Sequence, residues 1–102
     1  MNTIDGAQVR KVVVACDAGM GSSALLTSQL SKSLSPHSVA VEHTSVDRIP
    51  ADADVVLCHA NLAERARRSA PGKVVLTFQM FLGDPVFQRL ENAIKAGERI
   101  DG

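Results

Sequence analysis

Tryptophan and tyrosine are absent from this chain, and phenylalanine occurs only three times. Proteins that hold single-stranded nucleic acid stack exposed aromatic rings on bases, so that mode of binding is disfavoured. Neither sign of charge is in excess, with 11 Lys and Arg against 11 Asp and Glu. A nucleic-acid or anionic-membrane partner leaves a basic footprint, and the chain as a whole carries none. The longest apolar run, from Val12 to Cys16, is five residues. A membrane span needs about twenty, so direct membrane insertion is not expected. Residues 1–11 lack a basic stretch followed by an apolar one. No signal peptide is visible, and a cytoplasmic location is expected. Two cysteines in that setting are expected as thiols, not as a disulfide.

What is present suits one small globular domain. The chain has 102 residues, 45% of them hydrophobic, enough for a single core. Residues 1–8 are polar with an Asp5-Gly6 turn signal and read as a flexible leader, followed by one domain over residues 9–102. Residues 9–16 are β-branched and nearly all apolar, as a buried parallel strand requires. Residues 17–23 hold two glycines and two serines, the chemistry of a loop. Ala24, Leu25, Leu26, Leu30 and Leu34 then recur at helical spacing until Ser35-Pro36 stops them.

Residues 38–44 alternate like an edge strand, residues 54–58 form a third strand, and residues 74–78 a fourth. Residues 60–70 read as a helix with Leu62, Ala63 and Ala66 inward and Glu64, Arg65, Arg67 and Arg68 outward. A last helix carries Val86, Phe87, Leu90 and Ile94, with Gly97 at its end. Strands alternating with helices predict an α/β fold: a four-stranded parallel sheet, helices on both faces, and right-handed crossovers. In such sheets the site lies at the carboxyl ends of the strands. That rule brings Cys16, His59 and the stretch after Phe78 to one edge.

The informative segment is Cys16-Asp17-Ala18-Gly19-Met20-Gly21-Ser22-Ser23, between the first strand and the first helix. Backbone N–H groups of such a loop can converge on one spot, and the helix N-terminus adds its positive dipole end. Both suit a negatively charged sulfur and, equally, a phosphate dianion attached to it. Gly19 and Gly21 let the backbone approach phosphoryl oxygens. Ser22 and Ser23 can cap the helix or donate hydroxyls. The segment lacks the Gly-Lys-Ser/Thr of a nucleotide P-loop and the completed spacing of a dinucleotide fingerprint. A buried cysteine before an ordinary turn is the plain alternative.

Val13-Val14-Ala15-Cys16-Asp17-Ala18-Gly19-Met20-Gly21-Ser22-Ser23-Ala24 closely resembles the phosphorylation-site loop of IIB domains of the bacterial sugar phosphotransferase system, mannitol type. The likeness continues at Asp54-Val55-Val56-Leu57-Cys58-His59-Ala60-Asn61-Leu62-Ala63-Glu64-Arg65-Ala66 and is looser from Val74 to Leu90. The resemblance implies a small Rossmann-like unit with a phosphate loop between first strand and first helix. It implies a phosphotransferase component in which Cys16 is the phosphocysteine and Asp17, Ala18, Gly19, Met20, Gly21, Ser22 and Ser23 bind phosphate. The donor would be phosphohistidine on a IIA protein. The acceptor would be a mannitol-like sugar or polyol bound by the membrane IIC protein. It implies no metal and no organic cofactor. A regulatory IIB-like module phosphorylated at Cys16 needs the same loop. The 102 residues hold no IIC or IIA segment, so either a free-standing IIB subunit or an excised domain is expected.

The same loop is similar to that of low-molecular-weight tyrosine phosphatases, which use C-x5-R-S/T and a late Asp-Pro acid. Here the arginine position holds Ser22, while Asp84-Pro85 is present. An arginine there would bind the transferring phosphoryl group bidentately. Its replacement by serine predicts a phosphocysteine that waits for an acceptor. His59 stands as a candidate accessory residue or a helix-start histidine, and Cys58 as a small buried hydrophobe. His37 and His43 read as surface residues. Arg65, Arg67 and Arg68 make a solvated helix face or a contact for an acidic partner. Met20, Phe78, Met80 and Phe81 are candidates for an apolar docking rim.

Overall fold

The computed structural model describes residues 3–16, 21–80 and 83–101, with the side chains of residues 21–23 outside the description. Among the described residues, six strands and three α-helices follow in order: β1 (Thr3–Asp5), β2 (Lys11–Cys16), α1 (Gly21–Leu34), β3 (Ala40–Ser45), β4 (Val55–His59), α2 (Ala63–Ser69), β5 (Val74–Phe78), α3 (Pro85–Ala96) and β6 (Arg99–Asp101). Strands β3-β2-β4-β5 make the four-stranded sheet, in that spatial order. Every pairing in it is parallel. The order places β2 centrally, which is why Val12, Val13, Val14 and Ala15 are fully buried on both sides.

The pleat divides those residues between two cores. Val12 and Val14 join Leu26, Leu30 and Leu34 of α1 and Val86, Leu90 and Ile94 of α3. Val13 and Ala15 join Ala66 of α2 and Val56 and Cys58 of β4. Helices therefore cover both faces, α1 and α3 on one and α2 on the other. At the amino edge the Asp54 carboxylate accepts from Arg10 N (2.7 Å) and Lys11 N (3.0 Å), fixing the start of β2. Lys11 pairs with Asp52 (3.0 Å) and Glu42 (3.4 Å) there.

Helix ends follow local chemistry. Asp84 caps α3, Pro85 opens it, and Gly97 closes it with φ of 70°. A proline with preset φ inside the start and a glycine in the left-handed region past the end is the expected asymmetry. Leu62, Ala63 and Ala66 do turn inward, whereas Arg67 and Arg68 are exposed. Residues 60–62 form a 3-10 turn before α2, so that helix is shorter than its sequence pattern.

Two expectations are corrected. Residues 21–23, expected in the loop, are the first residues of α1. Residues 3–8, expected as a flexible leader, hold β1 and a 3-10 turn. β1 runs antiparallel to β6, with Ile4 opposite Ile100. Ile100 is buried in the α1–α3 core, and this apolar pair offsets the polar composition of the segment.

The junction between the chain's two ends turns on Gly6. Its N–H donates to Glu98 O at 2.7 Å, and a Cβ here would overlap the Ala93 carbonyl. Backbone, unlike a flexible side-chain tip, cannot step aside cheaply. Gly6→Ala should lower stability by about 1–3 kcal/mol, the cost of overpacking. Urea denaturation of the variant beside wild type checks this.

Candidate functional site

The sheet's carboxyl edge collects the last residue of each strand. Ser45 lies in register with Cys16, and Phe78 with His59. Ala15 is in register with Cys58, so Cys16 and His59 stand one step further along the two central strands. Cys16 is 8% exposed, and its Sγ donates to Thr44 O at 3.6 Å. Strand alternation puts Cys16, His59 and Phe78 on the α1–α3 side of the sheet. Helix α1 begins at Gly21. The leading N–H groups of any helix have no carbonyl partner within it, and residues 21–23 stand at that end of α1. Asp17, Ala18, Gly19 and Met20, expected to complete a phosphate loop, lie outside the described residues, as does Phe81.

His59 is half-buried, and its Nδ1 accepts from Asn61 N at 3.2 Å, capping the turn that leads to α2. An accepting Nδ1 leaves the ring proton of the neutral form on Nε2. The ring meets Phe78 edge-on, with centroids 6.0 Å apart. His59 thus shares the edge with Cys16, and one of its nitrogens already has a structural task.

Cys58 is one residue earlier and belongs to the opposite face, fully buried. Burial pushes its thiol up to about 11, against a weaker opposing pull from the Arg67 charge. It stays protonated at neutral pH. Both cysteines are thiols, as expected. Arg65 pairs with Asp47 (2.9 Å) and Arg68 with Glu64 (3.4 Å), so much of the α2 charge is matched locally.

Asp84 is the residue whose role the sequence leaves least clear. Its carboxylate accepts from Val86 N (3.0 Å), Gln79 N (2.8 Å) and Met80 N (3.3 Å). Those bonds, Val86 first, hold its carboxyl below the ordinary range. A general acid must keep its proton until the reaction, and Asp84 is held in the opposite state. The phosphatase reading loses its acid. An aspartate followed by Pro and an apolar helix is itself a cap signature, and it was the available signal.

Known proteins match this sequence. The family model described as "PTS system, Lactose/Cellobiose specific IIB subunit" matches residues 11–89. The chain belongs to the PTS IIB family. It is similar to the mannitol-specific EIICB component of Geobacillus stearothermophilus, 37% identical over 91 residues, which is 87% of this chain and 19% of that protein. The mannitol-specific EIICBA component of Vibrio cholerae is 37% identical over 98 residues, covering 94% of this chain and 15% of its own length. A mannitol-specific cryptic EIICB component of Escherichia coli (strain K12) is 36% identical over 91 residues, 87% of this chain and 20% of that protein. The chain thus spans a fifth or less of these relatives. The matching family model carries a lactose/cellobiose description and the relatives a mannitol one, so membership fixes the IIB class and not the sugar. As a PTS IIB domain the chain is a phosphotransferase component. Among the described residues, no helix is long and apolar enough to cross a membrane.

Two outcomes follow from the two cysteines and the cap. Limiting iodoacetamide near neutral pH should modify Cys16 before Cys58. The Cys58 thiolate is on the order of one molecule in ten thousand at that pH, and the sheet covers it. Peptide mapping of the alkylated protein checks the order. For Asp84, a depressed folded value means stabilisation that is complete above the unfolded value near about 4. It is lost as pH falls through the folded value. The difference in Tm between wild type and Asp84→Asn should therefore shrink as pH drops from about 6 to about 3, as thermal melts across that range would show.

Proposed function

We propose that this IIB chain is a phosphocarrier, with Cys16 as acceptor and then donor of the phosphoryl group. The Cys16 thiolate attacks phosphorus of a phosphohistidine on a IIA protein. The S–P bond forms as the P–N bond breaks, and the donor ring takes a proton from solvent and leaves as neutral imidazole. A hydroxyl oxygen of a sugar or polyol, held by a membrane IIC protein, then attacks the same phosphorus. The P–S bond breaks, the thiolate returns, and the hydroxyl proton passes to solvent. Positioning and charge stabilisation do most of the work in such transfers. The proposed phosphate loop is residues 17–23, whose N–H groups would hold the dianion with the dipole of α1 behind it.

The observation that carries this reading is the place of Cys16. It ends a central strand at the carboxyl edge, five residues before the first residue of a 14-residue α-helix. The mannitol-specific names of the relatives favour a hexitol as the eventual acceptor. Their joined components favour IIA and IIC partners and a location at the cytoplasmic side of a membrane. No observation favours the regulatory alternative over transport.

A phosphoenolpyruvate-driven relay with a mannitol-type IIA protein tests the proposal. Wild type and Cys58→Ser should take up label, and Cys16→Ser should take up none. With Ser22 in place of a phosphate-clamping arginine, the unphosphorylated wild-type chain should also turn over an aryl phosphate ester at least about a hundredfold more slowly than a phosphatase does. Label on Cys58 or a histidine, or sustained ester hydrolysis dependent on Cys16, would contradict the carrier reading.

A further inference from the structure

The Asp84 carboxylate does more than cap a helix. Oδ1 accepts from Val86 N at 3.0 Å, which is the cap of α3. Oδ2 accepts from Gln79 N at 2.8 Å and Met80 N at 3.3 Å, the two residues that follow the last residue of β5. One charged group therefore ties the end of the edge strand to the start of the last helix. Bonds to an ionised acceptor are the stronger kind. Gln79 and Met80 stand just past the row that holds Cys16, His59 and Phe78. The Met80 side chain is 52% exposed, and the other large apolar side chain so exposed among the described residues is Leu25, near the start of α1. A methionine in such a place is an adaptable contact for a protein surface. Its backbone must be ordered before that contact contributes fully, since ordering on binding costs affinity.

We propose that Asp84 is a positioning residue for partner engagement at Cys16, holding Gln79 and Met80 in the arrangement that the phosphodonor protein meets. The inference rests on the carrier reading. The bonds that Asp84 accepts come from the backbone of Gln79, Met80 and Val86. Its effect belongs in affinity for a protein donor, not in the chemistry at sulfur. Asparagine keeps one acceptor oxygen and loses the charge and the second acceptor, so it should retain the helix cap and release residues 79 and 80.

The test is the rate of phosphoryl transfer from a phosphorylated mannitol-type IIA protein, over a range of donor concentrations, to wild type, Asp84→Asn, Asp84→Ala and Met80→Ser. KM for the donor should rise about tenfold in Asp84→Ala, which converts to about 1.4 kcal/mol, and less in Asp84→Asn. Met80→Ser, which leaves the cap untouched, should raise KM in the same direction. The rate at saturating donor and the alkylation rate of Cys16 by iodoacetamide should stay within about twofold of wild type in all three. Unchanged KM in both Asp84→Ala and Met80→Ser overturns the proposal. So does a fall in saturated rate matched by slower alkylation, which would place the effect on Cys16 itself. If wild type accepts no phosphoryl group at Cys16 at any donor concentration, the carrier reading fails and takes this inference with it.

Discussion

The pleat of one buried strand governs the rest of this molecule. β2 lies between β3 and β4 with apolar cores on both faces, and its side chains alternate between them. A slip of one residue in register would exchange every side chain between the faces. Four consecutive fully buried residues, Val12 to Ala15, make that slip costly. The position of Cys16 is a consequence. It is the first residue past the packed segment, on the side covered by α1 and α3, and at the edge where parallel sheets present their ligands.

The same constraint separates the two cysteines. Cys58 sits beside Ala15 in register but projects into the smaller core under α2. Burial there holds it as a thiol. One chain thus carries a cysteine at the rim and another sealed in the sheet, with a single residue step and a half-turn of pleat between their environments. In the proposed carrier role the first takes phosphate from a protein donor and the second has no part. The opposite, amino edge is given over to structure: the Asp54 clamp, the Lys11 ion pairs and the Gly6 junction all lie away from Cys16.

Much of this was legible in the residues. The apolar stretches within β2, β4 and β5 gave away buried parallel strands, and the 3.6-residue period gave α1 and α3. The Cys16 segment stood out because loop chemistry followed a strand so abruptly. Three features were not legible, each for a physical reason. The strand order depends on crossovers that composition does not encode. β1 looked like a leader because three residues carry too little pattern, and their partner β6 lies more than ninety positions away. Asp84 drew attention as a possible acid because Asp-Pro pairs are ambiguous. Only the three N–H groups converging on its carboxylate reveal a clamp. The loop residues Asp17 to Met20 remain readings of sequence and resemblance.

The claim on which the account stands is that the phosphoryl group resides on Cys16. Residue-level mass spectrometry of the wild-type chain, phosphorylated through a mannitol-type IIA protein and digested under conditions that preserve the S–P bond, tests it most directly. One phosphoryl group on the peptide that contains Cys16, with the Cys58 peptide and all three histidines unmodified, is the predicted result. A phosphoryl group on Cys58, His59 or any other residue, with Cys16 unmodified, would contradict it.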